Sequence, residues 1–180
     1  EGFAPTTEDA RICEFLESTS ALYITEKATQ EDNPPVKLKN NWFSRAFEPI
    51  GSLYVLPKYD ELDLTPFYAP FYMLFFGLCL GDMGYGLILV LAGLIAVWKL
   101  PKFRGYGQLI IWLGVGSIIM PMLSGTIFGL KLAEIIPSMP DNIKSFFFSD
   151  LKMFWFAIIF GIFQIIFAKL LRGIDSLRRK

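Results

Sequence analysis

The chain has 180 residues, of which 53% are hydrophobic and 16% are aromatic, and its 17 basic residues balance 17 acidic ones. It contains no histidine, so the side chain that most often serves as a general base or a metal ligand is missing. The basic residues are not gathered into the kind of patch that binds nucleic acid. We therefore expect neither an enzyme, nor a nucleic-acid-binding protein, nor a bound cofactor or metal.

The charges divide the chain into two parts. Residues 1–65 carry 6 basic and 12 acidic residues, whereas residues 66–180 carry 11 basic and 5 acidic residues. A polar, acidic front thus precedes an apolar body whose charges lie mostly at the ends of apolar stretches. Because the chain opens on Glu1 without an apolar leader, we expect it to be a central fragment of a longer protein.

Residues 1–33 are predicted to form the C-terminal end of a small α/β domain. Thr6 followed by Asp9 fits a helix-capping pattern, and Ala21–Thr25 is predicted as a strand. The apolar residues that share one helical face are Ile12, Phe15 and Leu16. We interpret this helix and strand as core elements without a functional site.

Residues 34–65 are predicted to form a linker along the surface of the domain. Asn33-Pro34-Pro35 breaks regular structure at its start, and further turn signals follow. Pro66 suits the first turn of a helix, with Thr65 as its predicted cap.

Three stretches of the remaining residues, 66–180, are nearly free of charge. Residues 64–98 form a run of 35 with the single charge Asp82, residues 105–130 form a run of 26, and residues 153–168 form a run of 16. Pro121 interrupts the second run and is predicted as a kink, which membrane helices tolerate. The composition predicts a mainly α, polytopic helical membrane bundle.

The first stretch has two interpretations. As one straight helix it would extend about 52 Å, against a hydrocarbon core of roughly 30 Å, so it either tilts or kinks as one span or folds back as a hairpin. The glycines around Asp82 favour a turn there, and the flanking basic residues fall on the cytoplasmic side only if it is a hairpin. We therefore predict about four crossings, at residues 66–81, 83–98, 106–130 and 151–171.

Two polar residues lie within or beside these spans. Asp82 has two interpretations: a carboxylate that lines an ion path, or a turn or cap residue that accepts hydrogen bonds from nearby amides. Gln164 is interpreted as a hydrogen-bonding residue between helices, with a role in the path as the alternative. The glycines that we assign to helix packing or turns are Gly77, Gly81, Gly84, Gly86, Gly125 and Gly129.

Several segments of the chain are similar to one known family. They are Asn33–Leu38 (NPPVKL), Phe47–Ile50 (FEPI), Tyr59–Phe67 (YDELDLTPF), Phe75–Gly86 (FFGLCLGDMGYG) and Gly125–Gly129 (GTIFG). The chain resembles the large membrane subunit of V-type and archaeal-type rotary ATPases, the 116 kDa family, called the a subunit in eukaryotes and subunit I in prokaryotes. Tyr85, in place of histidine, resembles the prokaryotic form.

The resemblance implies a stator subunit that takes part in proton or sodium translocation coupled to ATP hydrolysis or synthesis. It implies a cytoplasmic N-terminal arm that holds peripheral-stalk subunits of the E and G type. It also implies an eight-helix domain in membrane lipid, beside a ring of rotor subunits (c or K). The family's essential arginine lies on the seventh helix, so residues 66–180 correspond to the first half of this domain.

The resemblance further implies a multi-pass protein of a prokaryotic cytoplasmic membrane, with its N-terminal part in the cytoplasm. Two alternatives belong to other classes. A fragment of a secondary transporter predicts inverted repeats, and we find no convincing repeat. A membrane scaffold without transport activity would bind a soluble partner through the acidic front.

Overall fold

The computed structural model of the chain is mainly helical, with one two-stranded sheet. It divides into two compact units, one formed by Glu1–Lys39 and Val55–Asp63 and the other by Asn40–Tyr54 and Leu64–Lys180. The structure describes residues 2–19, 22–29, 32, 34–36, 38–53, 61–136 and 138–178. Outside the described residues lie Ala21, of the predicted strand, and Asn33, Lys37, Tyr59 and Asp60, of the sequence motifs.

Among its described residues the first unit contains one α-helix, α1 (Asp9–Ser18), which follows a 3-10 turn at Thr6–Glu8. The predicted helix is present, but Thr6 does not cap it, because the 3-10 turn moves the N-cap to Glu8. None of its residues is buried, so the predicted core position is wrong. The predicted strand is also wrong for residues 22–25, which have no regular structure. A strand needs a hydrogen-bonded neighbour, and the described part of this unit offers none.

The second unit opens with two short helices, α2 (Trp42–Arg45) and α3 (Glu48–Leu53), inside the predicted linker. Asn41 begins α2 because its side chain accepts a hydrogen bond from the Ser44 backbone N–H at 2.8 Å, as asparagine does at helix N-caps. The buried apolar residues around these helices are Ala46, Phe47, Ile50 and Ala69. The predicted linker therefore contains part of the core of this unit.

The remaining elements follow in chain order. They are α4 (Thr65–Leu80), α5 (Met83–Lys99), α6 (Arg104–Ile119), β1 (Thr126–Ile127), β2 (Leu130–Lys131), α7 (Leu132–Ile135), α8 (Asp141–Lys144) and α9 (Asp150–Arg178). Strands β1 and β2 pair in an antiparallel register, with Ile127 opposite Leu130. Thr65, the predicted cap of α4, is instead its first residue, because the N-cap is Leu64.

Helices α4 and α5 run in opposite directions beside α6. On α5 and α6, Gly86 lies against Gly114 and Gly93 against Gly107, so these two helices are antiparallel. Gly77, near the end of α4, meets Gly116, near the end of α6, so these two are parallel. Residues 64–98 therefore form two helices that reverse at Gly81 and Asp82, which differs from a single kinked helix. We call the end of the helices that carries Asp82 the far end, and the opposite end the near end.

Pro121 ends a helix rather than kinking it. Helix α6 stops at Ile119, and a short 3-10 turn at Pro121–Leu123 leads into the β1–β2 hairpin. The predicted span of residues 106–130 is thus too long at its C-terminal end. The reason is local: proline has no N–H to continue the helical hydrogen bonds, and its ring crowds the preceding turn.

Helix α9 contacts α4 through phenylalanine rings. The ring of Phe67 lies 6.3 Å from that of Phe167, and the ring of Phe75 lies 4.9 Å from that of Phe160, between centroids. Because the residue numbers rise along α4 as they fall along α9, the two helices are antiparallel. Aromatic pairs at such distances contribute about 1 kcal/mol each beyond the area they bury.

Two segments of the described chain are long and apolar enough to cross a membrane, judged by length and composition. They are Pro101–Leu123, with 23 residues, and Asp150–Arg178, with 29. Helices α4 and α5 are also apolar but have only 16 and 17 residues, or about 25 Å of helix. Whether α4 and α5 cross depends on what they pack against, because their length alone does not decide it.

The buried hydroxyl of Ser44 provides a first prediction. Its side-chain oxygen has no hydrogen-bond partner in the described chain, and the residue is 1% exposed. Since an unpaired buried polar group is costly, we expect Ser44→Ala to raise the free energy of unfolding of the detergent-purified subunit by about 1 kcal/mol. Denaturant titration measures this difference.

The control is Ser52→Ala on neighbouring α3, because the exposed Ser52 hydroxyl donates a hydrogen bond to the Pro49 carbonyl at 2.8 Å. This control should give no gain in stability. A loss of stability in Ser44→Ala would disprove the prediction.

Candidate functional site

The turn between α4 and α5 places Asp82 at the start of α5. Gly81 adopts a left-handed backbone conformation, with φ of 64°, which glycine reaches without the strain that a side chain would add. Its N–H donates to the Gly77 carbonyl at 2.9 Å and closes α4. Asp82 then caps α5, where its Oδ1 accepts the N–H of Gly84 at 2.7 Å and that of Tyr85 at 3.2 Å.

The same carboxylate also holds the β1–β2 hairpin. Its Oδ1 accepts the N–H of Phe128 at 2.9 Å, and its Oδ2 accepts the N–H of Gly129 at 2.6 Å. These residues form the two-residue loop of the hairpin with φ of 48° and 77°, as type I′ turns require. Phe128 in this conformation is strained by about 1 kcal/mol, and the hydrogen bonds to Asp82 offset that cost.

We call Asp82 and its four N–H donors, those of Gly84, Tyr85, Phe128 and Gly129, the Asp82 cluster. The carboxylate is 4% exposed, and no described lysine or arginine forms an ion pair with it. Charge-assisted hydrogen bonds of this kind are about twice as strong as neutral ones. The cluster therefore fastens the far end of α6 and the hairpin to the α4–α5 turn.

Gly84 lets an aromatic ring cover the cluster. A Cβ atom at this position would lie 2.7 Å from the ring of Phe128, so only glycine allows this approach without a shift. The ring of Tyr85 meets that of Phe128 edge-on, with centroids 5.9 Å apart. The ring of Phe128 thus packs directly on the first turn of α5, at Gly84 of the Asp82 cluster.

Gly125 directly precedes β1 and Gly129 lies in the loop of the hairpin, and the two glycines have different surroundings. Gly125 has φ of 66°, and a Cβ atom there would lie 2.9 Å from the ring of Phe147. Gly129 needs its positive φ for the turn, but no atom would lie within 4 Å of a Cβ atom there. These two residues therefore shape the hairpin and do not join two helices.

Close contacts between glycines hold α4, α5 and α6 together. A methyl group on Gly77 would overlap the carbonyl group of Gly116, and one on Gly86 would lie 2.8 Å from the Ser117 carbonyl oxygen. Gly93 is similarly close to Gly107, whose carbonyl oxygen would lie 2.9 Å from the added atom. Such backbone contact is the usual means by which helices associate in lipid.

Sequence reasoning missed four of these contact residues. They are Gly93, Gly107, Gly114 and Gly116. A signal was present, since Gly86 and Gly93 on α5, and Gly107 and Gly114 on α6, are each seven residues apart. Two turns of helix return to the same face, so matched intervals of seven on neighbouring helices predict a paired seam.

Gln164 lies apart from this arrangement. It is half-buried on α9, and no hydrogen bond to its side chain occurs among the described residues. The described residues also contain no group of three or more metal-ligating side chains.

An ion pair links the hairpin to the start of α9. Lys131 Nζ donates to Asp150 Oδ1 at 2.9 Å, and this hydrogen bond, followed by the attraction of the Asp150 charge, raises the pKa of Lys131 above its ordinary value. Both side chains are exposed, so the pair contributes little to stability.

The raised pKa of Lys131 determines how the stability of the subunit depends on pH, which provides a second prediction. A group with a raised pKa in the folded state stabilises that state fully below its unfolded pKa, which is 10.5 for Lys131, and ceases to do so as the pH passes the folded pKa. We expect the small stability difference between the native subunit and Lys131→Met to be constant below pH 10.5 and to disappear as the pH rises above this value. Unfolding curves recorded on both sides of pH 10.5 measure it, and a difference that is the same on both sides would contradict the pairing.

Comparison with known proteins gives consistent matches. A family model described as the V-type ATPase 116kDa subunit family matches residues 1–113. A-type ATP synthase subunit I of Archaeoglobus fulgidus is 37% identical over 107 residues, which cover 58% of this chain and 16% of that protein. The protein of the same name from Pyrococcus horikoshii is 34% identical over 131 residues, or 68% and 20% of the two chains. That of Methanothermobacter thermautotrophicus is 32% identical over 163 residues, or 79% and 25%.

The resemblance found in the sequence motifs is confirmed by these matches. The family model covers more than half of the chain, including α4, α5 and the turn at Asp82. The chain spans only about a fifth of the length of the relatives that it matches, as with the Pyrococcus horikoshii protein at 20%. The chain therefore belongs to the V-type ATPase 116 kDa subunit family, as a fragment similar to subunit I of archaeal and bacterial ATP synthases.

Proposed function

We propose that this chain is part of the membrane-embedded stator of a rotary V/A-type ATPase, where it supports proton or sodium translocation coupled to ATP hydrolysis or synthesis. Membership of the family supports this proposal, because relatives carry the name ATP synthase subunit I. The observation that carries it is the fixed packing of α4, α5 and α6 around the Asp82 cluster. A stator has to hold its shape while a rotor turns against it.

In this proposal α4, α5, α6 and α9 cross the membrane four times. Helix α6, extended by its flanking 3-10 turns, is long enough to cross, and the glycine contacts hold α4 and α5 alongside it, backbone against backbone. Because α4 and α5 are apolar and touch α6 along their length, they lie in the same lipid environment as α6. Helix α9 is long enough to cross alone and is antiparallel to α4.

The charges orient this arrangement. The near end carries Lys99, Lys102 and Arg104 between α5 and α6, and Arg172 and Arg178 at the end of α9. The far end carries acidic and basic residues in similar numbers between residues 131 and 150. By the positive-inside rule the near end is cytoplasmic, on the same side as the acidic front of the chain.

Asp82 acts in this proposal as a structural anchor and not as an ion carrier. Its two oxygens accept four backbone N–H groups, which leaves little capacity for a passing ion. A carboxylate that binds and releases ions needs free lone pairs and access to water, and Asp82 is 4% exposed. Gln164, half-buried on α9, is assigned a contact with another helix.

The partners in this proposal follow from the family. They are the rotor-ring subunits (c or K), which the membrane domain faces, the peripheral-stalk subunits of E and G type, which the N-terminal arm holds, and membrane lipid. The chemistry of ATP belongs to other subunits of the complex.

Purification of the full-length subunit tests the proposal. A tagged subunit extracted from its native membrane in mild detergent should bring down the rotor-ring and ATP-hydrolysing subunits, and the reconstituted complex should move ions when ATP is added. An untagged strain, treated in the same way, controls for non-specific recovery. Recovery of the subunit alone, from a strain that makes the other subunits, would instead favour a transporter or a scaffold.

A further inference from the structure

The connection between the hairpin and α9 exposes apolar side chains. We call this connection the far-end loop; its described residues are 132–136 and 138–149. Its large exposed apolar residues are Ile135 at 50%, Ile136 at 41%, Ile143 at 47% and Phe146 at 64%. Four such residues within this one connection are more than the scattered exposure that soluble loops show.

The far-end loop is tied closely to the ends of the apolar helices. At its start, the Leu132 N–H donates to the Gly125 carbonyl at 2.8 Å, and at its end the Phe148 N–H donates to the Leu123 carbonyl at 2.7 Å. The ring of Phe147 lies directly over Gly125. Both ends of the loop are therefore fixed close to the segment that follows α6.

The apolar surface of the loop continues onto α9. The first turns of this helix expose Leu151 at 66%, Phe154 at 58% and Trp155 at 55%, so exposed apolar residues lie on both sides of the charged residue Asp150 at the start of the helix. Tryptophan is typical of the membrane–water boundary. The exposed apolar residues of the far-end loop adjoin those of α9, which is proposed to cross the membrane. We therefore expect both sets of residues to contact lipid.

We propose that the far-end loop lies on the outer leaflet of the membrane, with Ile135, Ile143 and Phe146 inserted at the boundary between headgroups and acyl chains. This inference rests on the proposed crossings of α6 and α9. The charged residues of the loop, Glu134, Asp141 and Lys144, remain at the headgroups, as in other segments that lie in the interface. The loop thereby fixes the depth of the far end, and of the hairpin that Asp82 holds.

Fluorescence quenching tests this placement in the full-length subunit, assembled in its complex and reconstituted in vesicles. All native cysteines, Cys13 and Cys79 among them, are replaced by serine, and a single cysteine carrying an environment-sensitive dye is introduced by Ile143→Cys or Phe146→Cys. The matched control is the exposed polar neighbour, Asn142→Cys. Nitroxide lipids with the label near the headgroup should quench the dye at positions 143 and 146 and shift its emission to the blue. Aqueous nitroxide should quench the dye at position 142 more strongly than at the other two.

Two further labels separate this inference from the proposed crossings. Leu91 on α5 and Ile162 on α9 are 52% and 53% exposed and lie near the middle of their helices. If lipid nitroxides quench a dye at either position but not at 143 or 146, the helices cross and the far-end loop does not touch lipid, which overturns the inference. If dyes at 143 and 146 escape both lipid and aqueous quenchers, a protein covers the loop, which overturns it equally. Absence of lipid quenching at all four positions would contradict the crossings themselves.

Discussion

Replacement of Asp82 by alanine is expected to lower the free energy of unfolding of the subunit by about 3 kcal/mol or more. The change leaves four backbone N–H groups without their acceptor, two of them on the hairpin, where they compensate the strained backbone of Phe128. Asp82→Asn should lose part of this energy, because an amide presents one acceptor oxygen and places an NH₂ group against donors. Thermal unfolding in detergent and the yield of assembled complex measure both variants.

The matched control is Asp150→Asn at the same end of the molecule. Asp150 is exposed and pairs only with the exposed Lys131 among the described residues, so the loss of this ion pair should have little effect on stability. Complexes that do assemble with Asp82→Asn should retain most of their ion pumping. Normal assembly combined with abolished pumping would contradict the structural role of Asp82 and support the ion-path interpretation.

Replacement of Gly116 by alanine is expected to have the second large effect. The added methyl group would overlap the Met73 carbonyl oxygen and lie 2.9 Å from the carbonyl carbon. Since that neighbour is backbone in the middle of a helix, α4 and α6 have to move apart. We expect a loss of about 3 kcal/mol, at the upper end of the usual cost of overpacking, with a lower unfolding midpoint and a reduced yield of subunit in the membrane.

Gly105 provides the control for this experiment on the same helix. No atom lies within 4 Å of a Cβ atom built there, so Gly105→Ala should be neutral or stabilise the helix by up to about 1 kcal/mol. Wild-type stability of Gly116→Ala would mean that the backbones of α4 and α6 do not touch. The proposed membrane crossing of α4, which depends on its contact with α6, would then have no support.

The reversal at Gly81 and Asp82 is predictable from the sequence because its signals are local. Gly81 is free to adopt the left-handed conformation that ends a helix, and aspartate is a preferred N-cap. The long-range partners of Asp82 are not predictable in this way. Phe128 and Gly129 lie 46 and 47 residues further along the chain, and no spacing rule connects a cap to a distant hairpin.

The glycine contacts between the helices and the structure of the first unit were not predicted, for other physical reasons. Glycine is frequent in membrane helices, so a glycine pair on one helix is weak evidence alone, and the contact between α5 and α6 is indicated only when the seven-residue intervals of the two helices are compared. The predicted strand at residues 22–25 failed because propensity describes one segment, whereas a strand exists only with a neighbour. Pro121 was ambiguous, since proline can kink a membrane helix or end it.

The most direct test of the central claim is the sidedness of two cysteines on opposite ends of the helices. The claim is that α4 to α6 and α9 cross the membrane with the Asp82 end outside. In the full-length subunit, with all native cysteines, Cys13 and Cys79 among them, replaced by serine, Phe103→Cys marks the near end and Asn142→Cys marks the far end. An impermeant maleimide applied to intact cells and to inverted vesicles reports the side of each.

We expect the cysteine at position 103 to react only from the cytoplasmic side and the cysteine at position 142 to react only from outside. Reaction of both from the same side, or of position 103 from outside, would contradict the four-crossing arrangement.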